Sequence, residues 1–329
     1  MSVASLERSP AWKRVFSQRE FFTCAVLGTY CIILLCVEPS FFRCANILSI
    51  LYTAALLVPA VLGMQALLIT GAFDLSVGSI SAASAVVVGV VLRDYGNVPA
   101  ALTLGLVTAM AFGLLNGILV ARLKINSLIA TLGSMSIARA FALGIPHGRV
   151  TTNFPSSFES LAHSEIQGIP LTIPICVCLI FVADWAFRNV QFFRWFYSIG
   201  SNAQAATYCG IRVPQIQTVA FLLTGLGSFL CGVLQASRSM SASPLLFEDL
   251  SLEAIAACVV GGSSLKGGVG SMLGSVLGLL VLIITRNIVV LLGVPVYWRE
   301  LFVGVVLLVA VAYDMLLRRM EKHEPFFAL

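Results

Sequence analysis

The sequence predicts an all-α fold that crosses a lipid bilayer about ten times, and three observations predict it. Of 329 residues, 59% are hydrophobic and 11% are charged, whereas a soluble domain carries about 25% charged residues. Mean hydropathy is +0.98, which leaves too little polar surface for a water-soluble particle of this size. Asp, Glu, Lys and Arg are absent from residues 44–73, 95–121, 213–237 and 267–285. Each run is close to or above the roughly 20 apolar residues that cross the hydrocarbon layer at about 1.5 Å per residue.

The spans read in order as residues 21–37, 48–70, 75–92, 99–121, 127–145, 169–187 and 216–236. A segment at 252–260, too short to cross alone, comes next, then 272–284 and 301–317. The first span is too long for the apolar core of a cleaved signal, and no small-x-small site follows it. Lys13, Arg14 and Arg19 precede it, while Arg318, Arg319 and Lys322 follow the last span. By the positive-inside rule, residues 1–20 and 318–329 are cytoplasmic ends of one membrane domain, 21–317. The number of crossings is then even. Counting 252–260 as a crossing gives ten, and eight crossings with two re-entrant segments also fit. Arg122, Lys124, Arg188, Arg194 and Arg212 fall inside, with 188–215 as the longest cytoplasmic connection, and the loop 147–168 falls outside. Arg238, Arg286 and Arg299 fall outside too, against the pattern. The net charge of +5 reads as topology, not as nucleic-acid binding. Cysteines at 24, 31, 36, 176, 178, 231 and 258 lie in apolar stretches, where a thiol packs as a small hydrophobe.

Gly71-Ala72-Phe73-Asp74-Leu75-Ser76-Val77-Gly78-Ser79 interrupts two spans. Glycine permits tight backbone, and Asp and Ser satisfy freed amides. Irregular backbone at membrane depth is tolerated only where protein or water covers it. Asp74 is therefore expected to cap the third span, with a direct solute or proton role as the alternative. Residues 253–271 hold five glycines around Lys266, namely Gly261, Gly262, Gly267, Gly268 and Gly270, and predict a sharp turn between two helical pieces. The phosphate-loop order GxxxxGK[ST] is absent there and elsewhere in the chain, so ATP chemistry is assigned to another subunit. Glu253 is expected to cap the short helix, with a pathway role as the alternative. Gly270, Gly274 and Gly278 share one helix face, as do Gly113 and Gly117, and small residues at this spacing let helices approach closely. Internal packing is the favoured reading over a dimer interface. Val77-Gly78-Ser79 and Val269-Gly270-Ser271 both open apolar helices and hint at an internal repeat.

Gly200-Ser201-Asn202-Ala203-Gln204-Ala205-Ala206 and, beyond it, Gly210-Ile211 read as a short helix between glycines, capped by Asn202. A helix this small needs a surface to rest on. Among ionisable groups in or beside spans, Arg139 can snorkel, and Asp184 and Asp314 lie near span ends or can pair. HExxH, GxSxG and CxxC are absent, and the three histidines fall in loops or tails. The chain is read as no enzyme, with no metal site and no cofactor.

These motifs resemble a permease subunit of the ribose or monosaccharide type of ATP-binding-cassette importer, related to the branched-chain amino acid permeases. Residues 71–79 are similar to the family's GGIDLSVGS, 200–211 to its GGN-x-x-AA-x-x-x-GI, and 253–271 to its DAIAAVVIGGTSLxGGxGS element. Residues 126–144 and 193–200 also resemble family stretches, and the likeness runs from Asn46 to Arg318. It implies a type II importer-like fold of about ten helices. Its expected partners are cytoplasmic ATPase subunits, a second permease copy or paralogue, and an external solute-binding protein. Gly200–Ile211 would be the ATPase-coupling element. Gly71, Asp74, Ser76, Gly78, Ser79, Glu253, Gly261, Gly262, Lys266, Gly267 and Gly268 would form the pathway or its helix breaks. The cargo implied is a monosaccharide or related small polar solute; an ion-coupled carrier or a channel working without an ATPase is the alternative. Ala72, Phe73, Ser201, Ala203, Gln204, Glu253 and the turn 146–149 depart from the family pattern.

Overall fold

The computed structural model describes residues 18–295 together with 298, 301, 304 and 305. The predicted span 301–317, the C-terminal tail, Lys13, Arg14, Arg299 and Asp314 lie outside the described residues, apart from positions 301, 304 and 305 themselves. Helices α1 (Gln18–Val37), α2 (Cys44–Ile69), α3 (Val77–Tyr95), α4 (Val98–Gly117) and α5 (Ser127–Gly144) follow one another through short connections. A π turn, Ile118–Arg122, prolongs α4. Helix α6 (Ser156–His163) and a two-stranded hairpin, β1 (Glu165–Ile166) with β2 (Ile169–Pro170), come next. Then follow α7 (Thr172–Asn189), α8 (Gln191–Ser201), α9 (Ala203–Tyr208), α10 (Val213–Ser239), α11 (Leu250–Val260) and α12 (Met272–Leu291).

Among the described residues, seven helices are long and apolar enough to cross a membrane: α2, α3, α4 with its π turn, α5, α7, α10 and α12. Helix α11, with 11 residues, is about 16 Å long and cannot cross alone. The predicted total of eight to ten rests in addition on α1 and on the stretch outside the described residues.

Helices α2 and α10 form the centre. Every residue of α2 from Ala54 to Ile69 is buried. Pro59 sits inside α2 and has no N–H to give the carbonyl four residues back. Cys176 of α7 supplies the missing donor, its Sγ lying 3.4 Å from the Ala55 carbonyl. This thiol is thus more than a small hydrophobe, while Cys178 on the other face of α7 is exposed. Opposite Pro59 lies Gly227 of α10, where a Cβ would come within 2.2 Å of the Pro59 carbonyl oxygen. Gly225 and Gly232 admit α4 and α3 to the same helix in the same way. From α4, Gly113 and Gly117 face Phe221 and Thr218 of α10. Helices packed this closely need no large side chains between them, which suits a medium where apolar groups gain little by meeting one another.

Because successive long helices run antiparallel, the connections gather at two ends. One end holds the segments 70–76, 118–127, 190–212 and 261–271. The other holds 38–43, 96–97, 145–171 and the descent from α10. The second end is tied by paired backbone bonds of 2.9 and 2.8 Å between Thr151 and Ala242, by Tyr52 donating to the Ala162 carbonyl at 2.7 Å and by Ser237 donating to the Phe158 carbonyl at 2.7 Å. Arg238 lies there over the Tyr52 ring, 4.3 Å from its centroid. The helix and hairpin between 156 and 170 were not anticipated from the sequence, because an eight-residue helix and two-residue strands give no usable periodicity.

Candidate functional site

Three turns meet at the first end. The last turn of α2, the glycine turn after α11 and the end of α8 touch backbone to backbone. The Gly268 N–H donates to the Ile69 carbonyl at 2.9 Å. Gly200 lies so close that a Cβ there would sit 1.9 Å from the Ile69 oxygen and 2.3 Å from the Gly268 nitrogen. Gly267, with φ +85°, faces Gly71 and Gly200 and would place a Cβ 2.6 Å from the Gly71 nitrogen. Only glycine supplies both that backbone and that clearance. Tyr197 of α8 donates to the Gly270 carbonyl at 3.0 Å, and Ser263 donates to Gln65 of α2 at 2.7 Å. The Lys266 side chain points out at the tip, exposed. Gly71, Gly200, Gly267 and Gly268, named in three separate sequence motifs, meet in this one junction, whereas Gly261 packs against Gly274 instead. Their meeting had no signal in the sequence, since contacts between segments about 60 and 130 residues apart leave no local pattern.

The short helix predicted for 200–211 covers only Ala203–Tyr208, that is α9. Gly200 and Ser201 end α8 instead, because α8 runs straight into the junction. Asn202 caps α9 by accepting the Ala205 N–H at 2.9 Å. Ala206 is buried, while Asn202, Ala203, Gln204, Ala205 and Gly210 are exposed and Ile211 is half-buried. Tyr208 is 81% exposed, and Cys209 beside it is exposed and free. Helix α8 is anchored by Phe196 and Ile199, both buried, and by ring packing of Phe187 on Phe193 and Phe196 with centroids 4.7 and 5.3 Å apart. An exposed, capped single turn therefore stands on a firmly packed base.

The Asp74 break is built differently from the expected cap. The helix α3 begins at Ser76 as its N-cap, without a side-chain cap bond. Asp74, two residues earlier, accepts the Ser76 N–H at 2.7 Å and the Ser76 hydroxyl at 2.5 Å. Asn116 of α4 donates to its other oxygen at 3.1 Å and to the Ser76 hydroxyl at 2.8 Å. Asp74 holds the entry to α3 rather than the first helical amides. Asp74, Ser76, Gly78 and Ser79 are all buried, so these four residues form a helix break inside protein, while Gly71 at the start of the motif is exposed. Asn116 escaped the sequence reading because it sits in an otherwise apolar span.

Glu253 was expected to cap α11, but position 249 is the N-cap, and Glu253 pairs with Arg286 of α12 at 2.6 Å, both side chains largely buried. Arg286 is thereby part of α12 and carries no information about which side a loop faces. Gly270, expected on a helix face, precedes α12 and has φ +154°, so the predicted repeat of helices opening at Val77 and Val269 does not hold. Gly274 and Gly278 do lie on α12, packed against Gly261 and Ala257. Arg139 does not snorkel: it donates to the carbonyls of Pro244 and Leu246 at 2.5 and 3.2 Å. Asp184 pairs with Arg188 at 2.6 Å.

Arg139 thereby pins an irregular segment, 240–249, that enters the helical body. It passes Gly89 of α3 at Ala242 and Gly78 at Phe247, two glycines three turns or about 16 Å apart along that helix. Ser251 fixes its lower end, donating to the Leu75 carbonyl at 2.7 Å and accepting the Gly78 N–H at 3.2 Å. Leu245, Glu248, Asp249 and Leu252 remain exposed there. Glu248 and Asp249 do not stand out in the sequence, because a stretch without a hydrophobic run looks like any surface loop.

Residues 46–311 match the family described as branched-chain amino acid transport system / permease component. An autoinducer 2 import system permease protein LsrC from Yersinia pseudotuberculosis serotype O:1b is 32% identical over 299 residues, covering 89% of this chain and 85% of the relative. The protein of the same description from Escherichia coli K12 is 33% identical over 292 residues, covering 87% and 85%. No solved structure matches the chain significantly.

Proposed function

We propose that this chain, which belongs to the branched-chain amino acid transport system / permease component family, works as the membrane-spanning half of an ATP-driven importer whose α8–α9 loop is the part pushed by a cytoplasmic ATPase. The observation that carries this reading is the glycine junction. At Gly200 the end of α8 abuts both the last turn of α2 and the turn between α11 and α12 with no side chain in between. A displacement of α9 is therefore passed to two interrupted helices through backbone contacts that have no rotamers to absorb it.

The junction end faces the cytoplasm in this reading. Its connections carry Arg122, Lys124, Arg194, Arg212 and Lys266, and the one carboxylate among them, Asp74, is buried. Such a bias sets orientation. The irregular segment 240–249 borders the solute path. Backbone of this kind at membrane depth needs water or protein against it, and exposed carboxylates there need water. Glu248 and Asp249 accept hydrogen bonds from hydroxyl groups and disfavour anions. A monosaccharide-like, uncharged solute suits that lining, and autoinducer 2, which the LsrC proteins are named for importing, is the first cargo to try. An external binding protein selects the solute and a second permease copy or paralogue completes the path.

Reconstitution tests the reading. Uptake into proteoliposomes should require the ATPase subunit and ATP and should survive an uncoupler. Uptake by the permease alone, abolished by the uncoupler, would make it an ion-coupled carrier. Aspartate at Asn202 together with glutamate at Gln204 should reduce ATPase retention while leaving membrane insertion intact; unchanged retention would remove the coupling assignment.

A further inference from the structure

Beside α9 lies a cleft of about 490 Å³ walled by Arg122 from the π turn after α4 and by Arg212, with Thr207, Ile211 and Pro214 between them. The two guanidinium groups come from segments 90 residues apart and are both exposed. Positive-inside bias explains why such charges lie at this end. It does not explain why two of them wall one cleft at the foot of the coupling helix. Lys124 stands next to Arg122, itself exposed. Asp and Glu are absent from 118–127, 188–215 and 261–271. Arg188 is engaged by Asp184, whereas among the described residues no carboxylate pairs with Arg122 or Arg212. Helix α9 itself is uncharged, with Ala203 and Gln204 exposed on it.

Resting on the importer reading above, we infer that the Arg122–Arg212 cleft is a second docking point for the ATPase, taking a carboxylate side chain from an acidic rim of the groove that receives α9. Arginine suits this task because its planar fork meets a carboxylate with two parallel bonds. In this chain the uncharged α9 gives shape and the cleft beside it gives the charge. Complementary charge of this sort fixes register and suppresses wrong partners.

The test uses the complex of this chain with the cognate ATPase, reconstituted in nanodiscs, with ATPase affinity measured across a salt series. For the unaltered pair, affinity should fall steeply with salt. R122Q/R212Q, which keeps insertion and bulk, should lower affinity about tenfold at low salt and flatten the salt dependence. R122E/R212E should lower it further and be restored by lysine in place of acidic residues on the ATPase rim. If R122Q/R212Q binds as tightly as the parent with the same salt slope, while the variant altered at Asn202 and Gln204 loses the ATPase, the cleft assignment is wrong and the coupling reading stands. If neither variant loses the ATPase, both fall.

Discussion

The two halves of the molecule are held together by different means. At the junction end, α2, α8 and the turn before α12 meet through Gly71, Gly200, Gly267 and Gly268, main chain against main chain. Toward the other end, beside the Thr151–Ala242 backbone pair, side chains do most of the joining: Glu253 with Arg286, Asn46 with Asn287 through reciprocal amide bonds of 3.1 and 2.8 Å, Arg139 with two carbonyls and Ser237 with the α6 backbone. Backbone contacts cannot change rotamer, so they transmit displacement. Side-chain contacts can break and re-form, so they hold while permitting rearrangement. The difference teaches that volume should govern one half and polarity the other.

Substitutions can break that contrast, and the largest effect is expected where a charge is stranded. Arg286→Met leaves Glu253 buried and unpaired, which costs about 3–5 kcal/mol. Thermal unfolding in detergent should shift strongly downward, and the double variant E253Q/R286M should recover most of the loss. An unshifted melting curve would mean that this half does not depend on polarity. Next comes Gly200→Ala, which forces a methyl group into the Ile69 carbonyl and should cost about 1–3 kcal/mol by overpacking. Uptake should fall further than stability does, and equal losses of both would deny the junction a part in coupling. Asn202→Ala removes the α9 cap at about 1 kcal/mol; the fold should melt unchanged while ATP-driven uptake declines, because α9 is exposed. The smallest effect belongs to Asn46→Ala, at about 0.6 kcal/mol for a hydrogen bond between membrane helices, and it should leave uptake intact.

Long-range order in the molecule was partly legible in the sequence. Charge-free runs mark α2, α4, α10 and α12, and apolar stretches with few charges mark α3, α5 and α7, because a 20-residue apolar requirement is a local property of the chain. Glycine-rich turns were legible for the same reason. The Glu253–Arg286 pair was not, since two charges in different helices reveal a partnership only when the helices are packed. That omission produced a second error: Arg286 was counted as a loop charge and set against the topology. Glu248 and Asp249 were missed because a pinned re-entrant segment and a solvent loop share one composition. The short helix α9 and its Asn202 cap were legible in the sequence, but the helix was drawn too long, as tertiary contact claimed Gly200 and Ser201 for α8.

The central claim is that the exposed tip of α9 faces the cytoplasm, where an ATPase can grip it. Cys209, native, free and exposed at that tip, reports on this directly. A membrane-impermeant thiol reagent applied to inside-out and to right-side-out vesicles, with Cys209→Ser as the blank, should label Cys209 only in the inside-out preparation, and saturating ATPase should protect it. Labelling only in right-side-out vesicles would place the loop outside and contradict the account.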